Sequence, residues 1–280
     1  MEIQRFACAP GMERSLPSSV REKLGITSPE KLHLDTESIV QAAKASASEG
    51  WIYLPFCNTM VSESLGAQPV LSLEGARVRD NPYQKAEELP DTIDLSSPRI
   101  RAMFEAVRVL SEEGRRVVFQ FEGPFTLLST LLPMSRMFAA LRKPAGDALL
   151  SRAEDWICAY VDAAAECGIR MLSFADTVAT VDILGKKMYT QKYIGCCKSL
   201  LRRLRVEHPE IPIHLCGKTS QSMMDTDSCS ARIWEPPIPC RTYGDALAAW
   251  LDAGDYTELP GQYCLNLTAA PHPYLTLLTL

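Results

Sequence analysis

Short apolar runs separated by helical stretches set the pattern of this chain. Trp51-Ile52-Tyr53-Leu54 is one such run, ended by Pro55, and Val117-Val118-Phe119-Gln120-Phe121 is a second. Residues 170–174 make a third and Pro212-Ile213-His214-Leu215 a fourth. Runs of this length, bounded by breakers, predict strands buried on both faces. Apolar residues at 100, 103, 104, 107 and 110 repeat at helical spacing, and Gly114 stops that helix. Residues 147–167 predict a long helix closed by Gly168, and residues 191–206 and 243–253 predict two more. Near the start, Leu16-Pro17-Ser18-Ser19 and Asp35-Thr36-Glu37 supply capping side chains for two short helices. Residues 68–81 predict a hairpin or irregular arm. Residues 231–234 and Tyr263-Cys264-Leu265-Asn266 read as late strands.

Strands alternating with helices imply a parallel sheet in a single α/β domain over residues 1–280, with residues 1–50 as a helical lead-in. About six strand candidates emerge where a full barrel needs eight. The barrel is therefore reduced, or it hides strands near the C-terminus. Polar or reactive groups follow the strands: Asn58, Glu122, Asp176, His214 with Cys216, Glu235 and Cys264. Function collects at strand C-termini in both barrels and open α/β sheets. The chain carries no Gly-x-Gly-x-x-Gly, no P-loop and no internal repeat.

Composition narrows the classes. The 280 residues are 46% hydrophobic and 22% charged, which suits a globular chain with a substantial core. A net charge of −5, with Arg202-Arg203-Leu204-Arg205 as the longest basic run, argues against a nucleic-acid partner. No apolar stretch is long enough to span a bilayer, and Met1-Glu2-Ile3-Gln4-Arg5 lacks the apolar region of a signal peptide. The expectation is a cytoplasmic protein without a membrane partner. Its ten cysteines are then thiols, available for packing, metal binding or catalysis.

The chemistry concentrates at His214-Leu215-Cys216-Gly217. On an extended chain His214 and Cys216 point the same way, and an imidazole beside a thiol is half of a zinc site. The alternative is a buried cysteine packing as a small hydrophobe beside a hydrogen-bonded histidine. Asp176, at another strand end, can orient His214, contact substrate or cap a helix. Glu122, before Gly123-Pro124, faces the mouth or shapes the turn.

Several stretches together resemble the uroporphyrinogen decarboxylase superfamily. They are Leu54-Pro55-Phe56 with Glu63-Ser64-Leu65-Gly66-Ala67, then Glu122-Gly123-Pro124-Phe125-Thr126-Leu127, Phe174-Ala175-Asp176-Thr177 and His214-Leu215-Cys216-Gly217. The likeness is strongest to the branch of methylcobalamin:coenzyme M methyltransferases. It implies a TIM barrel and zinc held by His214, Cys216 and a late thiol. Cys264 resembles that last ligand, with Cys240 and Cys229 as the other late thiols. It implies a corrinoid methyl donor or acceptor, methylcobalamin or a corrinoid protein, and a small thiol partner. Glu235 is the candidate resting ligand, since exchanging its carboxylate for a substrate thiolate conserves charge. The metal-free decarboxylase branch works through an aspartate after the Pro-Phe pair, where this chain has Cys57-Asn58-Thr59. A non-catalytic corrinoid- or tetrapyrrole-binding protein is the third reading.

Overall fold

A computed structural model describes residues 16–280. The readings of residues 1–5 and of Cys8 fall outside them. Four parallel strands form the central sheet in the order β1 (Trp51–Leu54), β4 (Arg116–Glu122), β5 (Met171–Ala175), β6 (Ile213–Leu215). A hairpin of β2 (Pro69–Ser72) and β3 (Gly75–Val78) stands apart from it. The C-terminal region adds a second sheet, in which β9 (Leu275–Thr279) runs antiparallel between β7 (Ser230–Trp234) and β8 (Leu259–Gly261). Among the described residues the strands form no closed hydrogen-bonded ring.

Helices cover one face of the central sheet because alternate strand residues demand it. Ile52, Leu54, Val117, Phe119, Phe121, Leu172, Phe174, Ile213 and Leu215 share one buried cluster with the helices Pro98–Glu112, Pro124–Leu131, Gly146–Ala165 and Ile194–Glu207. The intervening residues Trp51, Tyr53, Val118 and Met171 face the other way. They pack against Tyr243, Leu247 and Trp250 of the helix Tyr243–Ala253 and against Leu275 and Leu277 of β9. The C-terminal region thus covers the inner face of an incomplete barrel. Trp51 Nε1 donates to the Gly244 carbonyl at 3.3 Å, which fixes this covering helix to β1.

Local signals explain why these elements start and stop where they do. Ser97 caps the helix Pro98–Glu112 through the Ile100 amide, with proline at its first position. Thr242 and Asp245 form a capping box on the covering helix, and Gly254, at φ 71°, ends it. The expected strand at residues 263–266 is instead a 3-10 turn, Leu265–Leu267. Gln262 takes φ 67°, a left-handed conformation that a strand cannot continue through. The strand falls just before it, as β8. The shortfall in strands is therefore made up by a small antiparallel sheet, with β9 falling where no strand was expected.

Trp250 is 2% exposed at the centre of the inner cluster. Trp250→Ala should cost about 3–5 kcal/mol, read as a lower urea midpoint, because the covering helix loses its largest buried side chain from the inner cluster.

Candidate functional site

β4, β5 and β6 set their C-terminal ends side by side, and the ladder aligns the functional residues in rows. Gln120 pairs with Ser173 and Ser173 with His214, giving one row on the inner face. One step nearer the strand ends, Glu122 pairs with Ala175. Cys216 donates its backbone N–H to the Phe174 carbonyl at 2.8 Å, which carries the ladder on and sets Cys216 beside Ala175. Cys216 keeps an extended backbone, φ −53° and ψ 141°, and opens the helix Gly217–Asp225.

His214 is 1% exposed. Its Nε2 lies 3.0 Å from the Tyr263 carbonyl and 3.0 Å from the Tyr243 hydroxyl. A carbonyl can only accept, so Nε2 carries the hydrogen and Nδ1 keeps its lone pair. That Nδ1 is buried with no hydrogen-bond partner. Burial holds the imidazole neutral, with a pKa lowered to about 3 against a weaker opposing effect of the Tyr263 carbonyl. A neutral ring with one nitrogen anchored on a carbonyl and the other lone pair unused suits a metal ligand.

Asp176 does not orient His214, because its carboxylate is engaged elsewhere. Oδ2 accepts from the Phe125 amide at 3.1 Å, and Oδ1 accepts from the Thr126 amide and hydroxyl, both at 2.7 Å. It is a cap, but on the helix that follows β4 rather than on one of its own. Gly123 permits this: a Cβ there would lie 2.4 Å from Asp176 Oδ2. Burial still pushes the Asp176 carboxyl up to about 6, with the Thr126 and Phe125 hydrogen bonds working against it. Glu122, also 1% exposed, has neither carboxyl oxygen in hydrogen-bonding geometry with a described group. Burial, with the nearby charge of Asp176, raises its pKa well above the carboxylate range. The Ser62 amide opposes that rise from outside bonding geometry.

The late residues are spread more widely. Cys264 follows Tyr263, whose carbonyl holds His214, and its Sγ accepts from the Asn266 amide at 3.5 Å. Cys229 packs against the main cluster and Cys240 against the inner one. Glu235 follows β7 and is exposed. Among the described residues no three His, Cys, Asp or Glu side chains are grouped closely enough to hold a metal ion. His214, Cys216, Cys264 and Glu235 are thus not assembled into one cluster. None of the nine described cysteines is in a disulfide. Burial pushes the thiol of Cys158 up to about 12 and raises those of Cys167, Cys196 and Cys197, as packing residues require.

Two clefts flank the sheet. One of about 430 Å³ lies at the C-terminal ends of β5 and β6, lined by Thr177, Thr180, Asp182, Lys218, Gln221 and Asp225. The larger, about 520 Å³, lies at the N-terminal end of β6 among Arg202, Arg205, His208 and Pro212. The smaller one is at the end that carries the reactive groups, and position outweighs size here. A further cluster at the end of β1 escaped sequence reasoning. Arg99, 3% exposed, pairs with Glu63 at 2.5 Å and donates to Thr59 Oγ1 at 3.0 Å and to Cys57 Sγ at 3.1 Å. Its partners lie 36 to 42 residues away, so no local spacing announces it.

The family model for uroporphyrinogen decarboxylase matches residues 2–235. The chain belongs to the uroporphyrinogen decarboxylase family. The chain is similar to two curated proteins, both described as methylcobamide:CoM methyltransferase MtaA from Methanosarcina barkeri. One is 26% identical over 233 residues, covering 79% of this chain and 66% of its own length. The other, from strain Fusaro / DSM 804, is 26% identical over 267 residues, covering 90% and 76%. A solved methyltransferase from Methanosarcina mazei matches with a TM-score of 0.62 at 21% identity, over 71% of this chain and 60% of that one. The family and this likeness assign a TIM-barrel fold. Among the described residues that fold is represented by four parallel strands and a C-terminal cover, with no closed hydrogen-bonded ring. No described helix is long and apolar enough to cross a membrane.

Gly123→Ala should expel the Asp176 carboxylate from the helix end and cost about 1–3 kcal/mol, measured by urea unfolding. Glu122 generates a pH signature. Its folded-state pKa is raised, so its contribution to stability is whole below the unfolded value near 4.5 and drains away as pH rises. Between about pH 4 and pH 7 the wild type should lose stability relative to Glu122→Gln, and parallel unfolding curves across that range would contradict the assignment.

Proposed function

We propose that the protein is a zinc-dependent methyltransferase that moves a methyl group between a corrinoid and a small thiol such as coenzyme M or homocysteine. The corrinoid is free methylcobalamin or one carried by a corrinoid protein. The observation that carries this reading is the buried, neutral His214, with Nε2 anchored on the Tyr263 carbonyl and Nδ1 unpartnered. Support for the reaction class comes from the methyltransferase relatives.

In this reading the metal is held by His214, Cys216 and Cys264, with Glu235 as the exchangeable resting ligand. One neutral imidazole and two thiolates balance the charge of Zn²⁺ and leave one position for substrate. Zinc bound there would hold the substrate thiol deprotonated at neutral pH and electron-rich toward a methyl group. The chain's own residues do the positioning. Tyr263 and Tyr243 fix the imidazole ring, and the aromatic packing of Tyr243, Tyr263 and His272 keeps water from it. Asp176 locks the loops after β4 and β5, which keeps the ends of β4, β5 and β6 in register. Among late thiols Cys264 is preferred because its neighbour Tyr263 touches His214. None of the nine described cysteines is in a disulfide, which suits a reducing, cytoplasmic setting.

One observation favours a metal-free, decarboxylase-like reading: a buried arginine, Arg99, stands at the end of β1. Its charge is already matched by Glu63, which leaves it no free charge for a carboxylated substrate.

Protein prepared under reducing conditions should bind about one zinc per chain, by elemental analysis. His214→Ala, Cys216→Ala and Cys264→Ala should lose the metal, while Cys229→Ala and Cys240→Ala keep it. Demethylation of methylcobalamin by coenzyme M, followed by corrinoid absorbance, should fall in step with the metal. Wild-type protein that takes up no zinc would remove the reading.

A further inference from the structure

The larger of the two clefts, about 520 Å³, takes no part in the site proposed above. It opens at the N-terminal end of β6, the opposite end of that strand from Cys216. Its floor is Ile211, Pro212 and Ile213, all buried, and Val206, 74% exposed, carries the apolar wall out to solvent. The rim is charged. Arg202, Arg205 and His208 come from the end of the helix Ile194–Glu207, and Asp255 from the turn after the helix Tyr243–Ala253.

The charges on that rim are not equally committed. Asp255 turns Oδ1 onto its own loop, where it accepts from the Thr257 amide at 3.1 Å and the Thr257 hydroxyl at 2.7 Å. His208 pairs with Asp162 at 2.8 Å. Arg205 donates from Nη2 to the carbonyls of Tyr256 at 3.3 Å and Thr257 at 2.7 Å. Those bonds fix its guanidinium and leave Nε and Nη1 unused among the described residues. Arg202, one turn earlier, is exposed and has no described hydrogen bond or ion pair. Two arginines thus hold donors in reserve for an anion.

Arginines near a helix C-terminus also offset its dipole. That accounts for the charge at this place and not for the apolar cleft beneath it. The turn that anchors Arg205 is itself held, since Tyr256 Oη donates to the Leu251 carbonyl at 2.9 Å and its ring packs on Trp250. Cavity, apolar floor and fixed cation therefore exist before any ligand arrives, as in pre-formed small-molecule sites.

We infer that this cleft is a second binding site, for a small anion with an apolar body. The ligand is a carboxylate or phosphate monoester whose tail lies on Ile211 and Ile213 and whose head group meets Arg202 and Arg205. The site stands apart from the metal reading, because none of its lining residues is a proposed ligand.

Calorimetry with hexanoate and hexyl phosphate on the full chain tests this, and binding should fit a single site. 1-Hexanol has the tail without the charge, and acetate has the charge without the tail. Each should bind about tenfold more weakly than hexanoate. Arg202→Gln removes an exposed side chain with no described partner, so it spares the fold. It should weaken both anions about tenfold and leave 1-hexanol unchanged. Hydrogen exchange locates the site: hexanoate should slow the amides of residues 254–257 and leave those of residues 177–183 alone. Either order of affinity between the two anions upholds the cleft and names its head group. No measurable binding of either anion, equal affinity for hexanoate and 1-hexanol, affinity unchanged in Arg202→Gln, or protection at residues 177–183 overturns the inference.

Discussion

The carboxylate of Asp176, laid against the first turn of the helix Pro124–Leu131, is the contact on which the reactive end of this sheet depends. It joins the residue after β5 to the helix after β4 through three hydrogen bonds. Its own backbone N–H donates to Thr219 Oγ1 in the helix after β6, so three consecutive strand-to-helix junctions meet at one residue. The contact exists because Gly123 has no side chain and because the first turn of a helix has amide hydrogens to offer. A charged group buried without such donors is costly, and burial accordingly raises the pKa of its neighbour Glu122 well above the carboxylate range. One interaction therefore positions the helix and supplies donors to one of the two buried carboxyls and not to the other.

The second constraint is the inner face of an incomplete barrel. Four parallel strands leave Trp51, Tyr53, Val118 and Met171 on a side that eight strands would enclose. The chain meets this with the helix Tyr243–Ala253 and with β9, neither of which belongs to a repeating βα unit. The same cover delivers Tyr243 and the Tyr263 carbonyl to His214. Closing the core and drying the imidazole are one event, which links the stability of the C-terminal region to the chemistry of the site. This is also the part of the chain where the family match ends, at residue 235.

Three buried polar features line the strand ends, and each is tuned differently. His214 is held neutral by burial with a free lone pair on Nδ1, Asp176 is saturated with donors, and Glu122, its pKa raised by burial, has neither oxygen in hydrogen-bonding geometry. Environment alone separates them, since the two carboxyls are chemically alike. In the proposed function His214 would hold a metal and Asp176 keeps the loops around it in place.

Much of the parallel half was legible from the residues alone. Strand runs at 51–54 and 117–121, the long helix over 147–167 and the helix 243–253 follow from apolar spacing and from capping residues, which act over a few positions. His214 and Cys216 stood out because their spacing of two is itself the strand period. What spacing does not carry is which distant element a side chain meets. Asp176 reads as an ordinary cap, yet its helix begins 52 residues earlier, and only the adjacency of β4 and β5 makes that contact. Cys57 and Arg99 meet in the same way. The strand expected at 263–266 failed because Gln262 turns left-handed, a choice imposed by its packing against Ser220 rather than by its own identity. Local sequence determined the elements and the donors they carry; tertiary packing decided which donors are satisfied, because burial and partner geometry depend on strand order.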